Sequence, residues 1–219
     1  MTPVEALREA IVGELSAAAK YGACAELALR RGRPATRNLF RATAAAEEVH
    51  AKNHGRALEG WVGEEGAREA LERGRKEAAI SLGSGASHEA AGRTKADPLV
   101  ACLAAALQGE RWETRKMYPG MLKAVERSGG TWESVSGARG RDADAAVVDA
   151  TWLTFSFARD AEAGHASLFR RAVKRAKRGK DFEVARFFTC SVCGHVAAGE
   201  IPEVCPICGH SADFFEEVA

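Results

Sequence analysis

The stretch "AAEEVHAKNH", Ala45 to His54, decides the fold. It lies in an alanine-rich segment whose apolar residues return every three or four positions, the spacing of a helix with one buried face. On that face stand Glu47 and His50. Residues three apart on an α-helix are separated by about 60° around the axis and about 4.5 Å along it, so both side chains reach one point beside the helix. Glu48 points away by about 160° and is assigned to solvent. Far downstream "RDAEAGHASL", Arg159 to Leu168, repeats the pair as Glu162 and His165.

Working outward, four segments carry helical spacing: from about Val4 to Arg30, Ala35 to Glu59, Pro98 to Arg127, and Asp142 to Arg178. At 1.5 Å per residue each spans on the order of 35 to 50 Å, which suits a bundle. Residues 60 to 97 form a long, polar, Gly-rich connection, within which "EEGAREALERGRKEAA" has the composition of a further helix. One long crossover among four helices is the ferritin-like connectivity. Beyond Lys180 the pattern changes to short aromatic pieces punctuated by Gly and Pro, so the chain divides into a mainly α bundle, 1–180, and a small metal-knuckle domain, 186–219. A weak duplication supports the bundle. "GELSAAAKY" (Gly13 to Tyr21) and "GERWETRKMY" (Gly109 to Tyr118) each precede a Glu-x-x-His by one helix.

The net charge of +1 gives no reason to expect nucleic acid or an anionic membrane as partner. The basic run "RRAVKRAKRGK", 170 to 180, reads as a solvated helix end and linker. "MTPVEALREAIVGELS" lacks the apolar core of a signal peptide. The uncharged run Pro98 to Gly109, 12 residues long, is short of the roughly 18 needed to span a membrane. A cytoplasmic protein is expected.

Five glutamates stand at inward positions of these helices: Glu14, Glu47, Glu110, Glu113 and Glu162. A lone buried glutamate is answered by a raised pKa or a salt bridge, but five converging ones need cations. Two ferrous or two ferric ions match five carboxylates and two neutral imidazoles to within one charge in either direction. A Glu from each of two helices with Glu-x-x-His from each of the other two is the known pattern of di-iron and di-manganese carboxylate bundles. Tyr21 and Tyr118 lie near these carboxylates as core tyrosines or hydrogen-bond partners of ligands, and His54 one turn past His50 as a surface group or such a partner. Cys24 and Cys102 read as small buried hydrophobes.

In the tail, Cys190 and Cys193 form one knuckle and Cys205 and Cys208 the other, eleven residues apart, each followed by Gly-His. Four thiolates in two such turns clamp a tetrahedral ion, zinc or iron. His195 and His210 are then surface residues. Beside a di-iron centre iron is favoured, because it changes oxidation state and zinc does not.

These motifs resemble the rubrerythrin family. "GELSAAAKYG", "EEVH", "GERWETRKMYPG" and "EAGH" are similar to its four helix motifs, and the CxxCG and CPxCG knuckles to its rubredoxin-like tail. The resemblance implies that Glu14, Glu47, His50, Glu110, Glu113, Glu162 and His165 ligate two irons, with Glu113 and His50 competing for one of them as the oxidation state changes. It implies that Cys190, Cys193, Cys205 and Cys208 hold a third iron, or zinc where that is loaded instead. It implies a peroxidase that reduces hydrogen peroxide to water, with electrons arriving from a reductase or rubredoxin. It also implies a homodimer or larger homo-oligomer in which one chain's tail lies near the other's di-iron site. Glu113, His50 and Tyr118 are the residues expected to serve catalysis, Tyr118 as a proton relay.

Overall fold

The computed structural model describes residues 1–83, 97–131 and 143–218. Helix α1 (Pro3–Arg30) starts in a capping box: Thr2 Oγ1 accepts from Glu5 N at 3.2 Å, and Glu5 Oε2 accepts from Thr2 N at 2.7 Å. It stops before Gly32, whose φ of +65° suits only glycine well. Helix α2 (Pro34–Gly83) is capped from a distance. Asp181 accepts from Ala35 N at 3.0 Å and Thr36 N at 2.9 Å, tying the segment after the last helix to the start of the second.

At Gly63, with φ +77° and ψ 168°, α2 turns back on itself. The expected break after Glu59 is therefore a reversal, and much of the polar connection is a second helical arm, 64–83. Leu71 of this arm packs on Gly55, and Gly74 lies against Ile11 and Leu15 of α1. The expected helix within "EEGAREALERGRKEAA" is present; residues 84–96 of the connection lie outside the described residues.

The third bundle helix comes in three pieces: α3 (Pro98–Trp112), a π-helical turn (Glu113–Met117), and α4 (Tyr118–Glu126). Helix α5 (Ala143–Ala176) is the fourth; its expected start at Asp142 lies outside the described residues. Strands β1 (Phe187–Cys190), β2 (Val196–Ala198) and β3 (Phe215–Val218) form an antiparallel sheet in the order β2-β1-β3. Among the described residues no helix is long and apolar enough to cross a membrane.

Two apolar clusters sandwich a polar centre. One joins Leu7, Ile11, Leu58, Met121 and Phe155, and the other joins Leu39, Phe40, Leu103 and Phe169. Each such aromatic or leucine side chain contributes about 1.5–3 kcal/mol by burial. That gain holds together a core in which Glu14, Glu110, Glu162 and His165 are each 0% exposed.

Candidate metal centre

The two Glu-x-x-His pairs and the carboxylates of the other helices meet in the bundle core as two adjacent groups of four. Glu14, Glu47, His50 and Glu162 make one group, and Glu47, Glu110, Glu162 and His165 the other, with the ligand atoms of each within 4.8 Å of one another. Glu47 and Glu162 belong to both. His50 Nδ1 lies 3.0 Å from Glu47 and 2.8 Å from Glu162, while His165 Nδ1 lies 2.7 Å from Glu162 and 3.4 Å from Glu110. Adjacent ligands of a cation with bonds of about 2.1 Å stand about 3 Å apart, so these separations are those of ligand edges.

The donors also fit a cation by what they lack. Glu14 Oε2, Glu47 Oε1 and Glu110 Oε2 are buried without a hydrogen-bond partner among the described residues, and Glu162 Oε1 has only the His50 ring nitrogen beside it. A ring N–H has one proton and cannot satisfy the several carboxylates around it. Without cations, burial and the neighbouring carboxylates push the Glu47 and Glu113 pKa values well up, and Glu110 to about 8. For His50 and His165, burial works against charge, but Glu162 and the other carboxylates hold both imidazoles protonated. Burial would likewise raise Glu162, yet the two imidazoles pull it well below the usual carboxylate range. Protons thus occupy the role that metal ions fill when bound.

Glu113 is buried, 8% exposed, at the head of the π turn, but it joins neither group. Of the pair expected to compete for one site, His50 is within ligand distance and Glu113 stands aside. The π turn also accounts for the spacing of the tyrosines. Glu14 and Tyr21 are seven residues apart, whereas Glu110 and Tyr118 are eight apart, the extra residue being taken up by the wider turn. Both tyrosines consequently reach across the core. Tyr21 donates to Glu110 Oε1 at 2.5 Å and Tyr118 donates to Glu14 Oε1. Each holds one carboxylate oxygen and leaves the other facing inward.

Four residues of the tail knuckle and its flanks complete the site. His50 Nε2 donates to the Cys193 carbonyl at 3.1 Å and His165 Nε2 to the Gly194 carbonyl at 3.0 Å, which turns both Nδ1 atoms toward the carboxylates. Asn53 donates to the Val192 carbonyl and Thr189 to the Ala42 carbonyl, fixing the tail on α2. The chain's own tail therefore makes the approach that the resemblance assigns to a partner's tail. Within the tail, Cys190 and Cys208 sulfurs are 3.7 Å apart and Cys193 and Cys205 sulfurs 3.6 Å, close to the edge of about 3.8 Å for a tetrahedron with 2.3 Å bonds.

The sequence reading missed several of these parts. Gly194 follows the CxxC spacing, but its role against His50 has no local signal. Of the two positions expected for His54, the buried one holds: it lies between Tyr118, which bonds Glu14, and Thr154. His195 is half-buried against Gly164 and Phe215, whereas His210 is exposed as expected. Glu48 is exposed and faces Arg75 of the second arm. Cys24 and Cys102 are only half-buried, and their thiols neighbour each other across α1 and α3. The basic run is partly engaged: Arg171 and Arg175 pair with Glu183.

A bundle with one long crossover and a carboxylate–imidazole core, joined to a four-cysteine knuckle, is a ferritin-like metalloprotein with a rubredoxin-like tail. Comparison with known proteins narrows this. The rubrerythrin family model matches residues 5–133, and the model for the rubrerythrin rubredoxin-like domain matches residues 188–216. Rubrerythrin-2 of Clostridium acetobutylicum is 31% identical over 96% of this chain and 93% of its own length. Nigerythrin of Nitratidesulfovibrio vulgaris is 30% identical over 97% of this chain and 84% of its own. The solved structure of fully reduced, all-ferrous nigerythrin superposes with a TM-score of 0.68 at 26% identity, covering 99% of this chain and 87% of that one. The chain belongs to the rubrerythrin family.

Proposed function

We propose that the chain is a di-iron peroxidase that reduces hydrogen peroxide to water, in two units spanning 1–180 and 186–219, and that it acts in the cytoplasm in protection against oxidative stress. One observation carries the reading: four buried carboxylates and two imidazoles converge in two groups that share Glu47 and Glu162. Glu14, Glu47, His50, Glu110, Glu162 and His165 hold two irons, with Glu113 exchanging for His50, and the four tail cysteines hold a third. The all-ferrous state named for the nigerythrin structure supports iron here. When bound, the iron pair would supply the two electrons that the reduction of peroxide consumes.

The protein's own groups set up that chemistry. Glu47 and Glu162 keep the two positions adjacent, and Tyr21 and Tyr118 hold the outer oxygens of Glu110 and Glu14 so that only the inner ones turn to the cations. The knuckle carbonyls orient both imidazoles, and Cys193 is at once a sulfur ligand and the owner of one of those carbonyls. Electrons from a reductase or rubredoxin enter at the tail, where Cys208 is the partly exposed cysteine, and have this hydrogen-bonded contact as a direct route inward. The same contact can form within one chain, so a homodimer is not required for it.

The test is to load the protein with iron, reduce it without oxygen and add two equivalents of peroxide, enough to take up the electrons of the iron pair and of the tail. Consumption of peroxide with reoxidation of the tail chromophore is expected, and a Glu162→Gln variant should lose it. Glu113→Ala should keep the fold while turnover falls. Peroxide consumption no faster than in Glu162→Gln protein would sink the reading.

A further inference from the structure

The two halves of the core are related by a constant offset of 115 residues: Phe40 with Phe155, Glu47 with Glu162, His50 with His165. Around Tyr21 the match yields a closed apolar cage, with Phe40 at 6.0 Å and Phe169 at 5.4 Å between ring centroids. Around Tyr118 the equivalents are Phe155 at 5.9 Å and, where Phe169 would recur, His54 at 5.9 Å. Thr154 likewise stands where the other half has the fully buried Leu39. Two polar residues thus replace two apolar ones, side by side and on one half only.

Their hydrogen bonds form a line. Tyr118 donates its hydroxyl proton to Glu14, so its oxygen accepts from His54 Nε2 at 3.0 Å. His54 Nδ1 is then an acceptor, and Thr154 Oγ1 donates to it at 2.9 Å. Burial keeps the imidazole neutral, with its pKa pushed down to about 3, as this tautomer requires. Thr154 is partly exposed, whereas His54 and Tyr118 are 0% exposed. Satisfying Tyr118 alone would need only one acceptor or donor; it would not need a second hydroxyl leading outward.

We propose that Thr154, His54 and Tyr118 form a proton relay from the bundle surface to the Tyr118–Glu14 hydrogen bond, making the Glu14 half the proton-entry side and leaving the Glu110 half closed. This rests on the peroxide-reducing reading. Peroxide, two electrons and two protons give two waters. For each proton, Thr154 passes its hydroxyl hydrogen to His54 Nδ1, Nε2 passes its hydrogen to the Tyr118 oxygen, and Tyr118 passes its own toward the core. Water refills Thr154, and His54, left with its hydrogen on Nδ1, returns to the Nε2 tautomer by proton exchange before the next proton passes. Each group gives one proton and receives one, so none changes its resting charge. His54 and Thr154 are positioning residues that act through Tyr118.

Two arms test the relay. In zinc-loaded protein, nitrogen-15 NMR of His54 should find the hydrogen on Nε2; a hydrogen on Nδ1 breaks the line and overturns the relay whatever the enzyme's activity. In iron-loaded protein, His54→Phe copies the residue that the other half tolerates, and Thr154→Val keeps the shape. Both should retain iron yet slow peroxide turnover roughly tenfold or more, with a larger solvent deuterium isotope effect. Imidazole should restore a His54→Ala variant. Wild-type rates and isotope effects in iron-replete His54→Phe and Thr154→Val would overturn the proposal. Wild-type protein that consumes no peroxide would instead refute the peroxidase reading, and the tautomer would still judge the hydrogen-bonded line.

Discussion

Gly194 offers the sharpest quantitative check on how the tail meets the bundle, because the second knuckle supplies its own control. Gly194 has φ +77° and Gly209 has φ +73°, so an alanine at either costs about 1–2 kcal/mol of left-handed backbone strain. Their surroundings differ. A Cβ at Gly194 would sit 2.3 Å from His50 Nε2, 2.7 Å from its Cδ2 and 3.1 Å from the Ala46 carbonyl, whereas a Cβ at Gly209 meets nothing within 4 Å. The ring cannot yield without breaking its bond to the Cys193 carbonyl, and Ala46 is backbone. Overpacking of this kind costs about 1–3 kcal/mol, and each hydrogen bond lost at the imidazoles a further 0.5–1.5 kcal/mol or so. Gly194→Ala should therefore be about 2–4 kcal/mol worse than Gly209→Ala. Urea unfolding of the iron-loaded proteins measures this, with the tail followed by its thiolate absorption and the bundle by far-ultraviolet circular dichroism. Reoxidation of the tail by peroxide should slow only in Gly194→Ala. Tail transitions agreeing to within about 0.5 kcal/mol in the two variants would refute the docking described here.

Stability of the metal-free protein should fall as pH rises. Glu47, Glu110 and Glu113 have folded pKa values raised above their unfolded ones, as do His50 and His165, so each contributes stability that is present at low pH and lost as pH climbs through its folded value. For Glu110, raised from 4.5 to about 8, the loss is on the order of 4 kcal/mol across that window. Glu162 acts oppositely, through a depressed pKa, but only below the usual carboxylate range. Thermal melts from pH 5 to 8 should slope downward for chelated protein and not for iron-loaded protein; parallel slopes would contradict the cation argument. Asp181→Ala removes the distant cap of α2 and should cost about 1–2 kcal/mol in thermal unfolding, with Asp181→Asn recovering most of it because its side-chain oxygen still accepts. Asn53→Ala should slow electron passage from tail to core without altering iron content, since Asn53 donates to the Val192 carbonyl and belongs to neither ligand group; an unchanged rate would mean that this anchor does not hold the tail.

How much of this was legible in the sequence depends on the range of the interaction. Glu47, His50, Glu162 and His165 announce themselves because a helix turns a three-residue spacing into a shared direction, and the cysteine pairs because a knuckle is equally local. The π turn left a trace, the eight-residue spacing of Glu110 and Tyr118 against seven in the first helix, but one extra residue does not say where it is absorbed. Gly63 could be seen as a glycine and not as a reversal, because the second arm's contacts with Ile11 and Leu15 decide that. Asp181 capping a helix that began nearly 150 residues earlier, and knuckle carbonyls meeting two imidazoles, are purely tertiary and leave no periodic mark. The sequence leaves His54 as a surface group or a partner of the ligands, because its burial depends on Tyr118, which reaches it from another helix.

The tail's position bears on the bundle as much as on itself. Each imidazole has two nitrogens, and whichever is not committed elsewhere faces the carboxylates. With Nε2 of His50 and His165 donating to Cys193 and Gly194, Nδ1 is the atom turned to the carboxylates in both, and both rings are held from the same short turn. The knuckle is rigid when its four sulfurs are clamped, so the tail's metal stiffens the very backbone that aims the imidazoles. Loss of the tail ion should then loosen the bundle site, although no tail sulfur belongs to either of its ligand groups. The coupling is mechanical, and it runs through two carbonyl oxygens on adjacent residues.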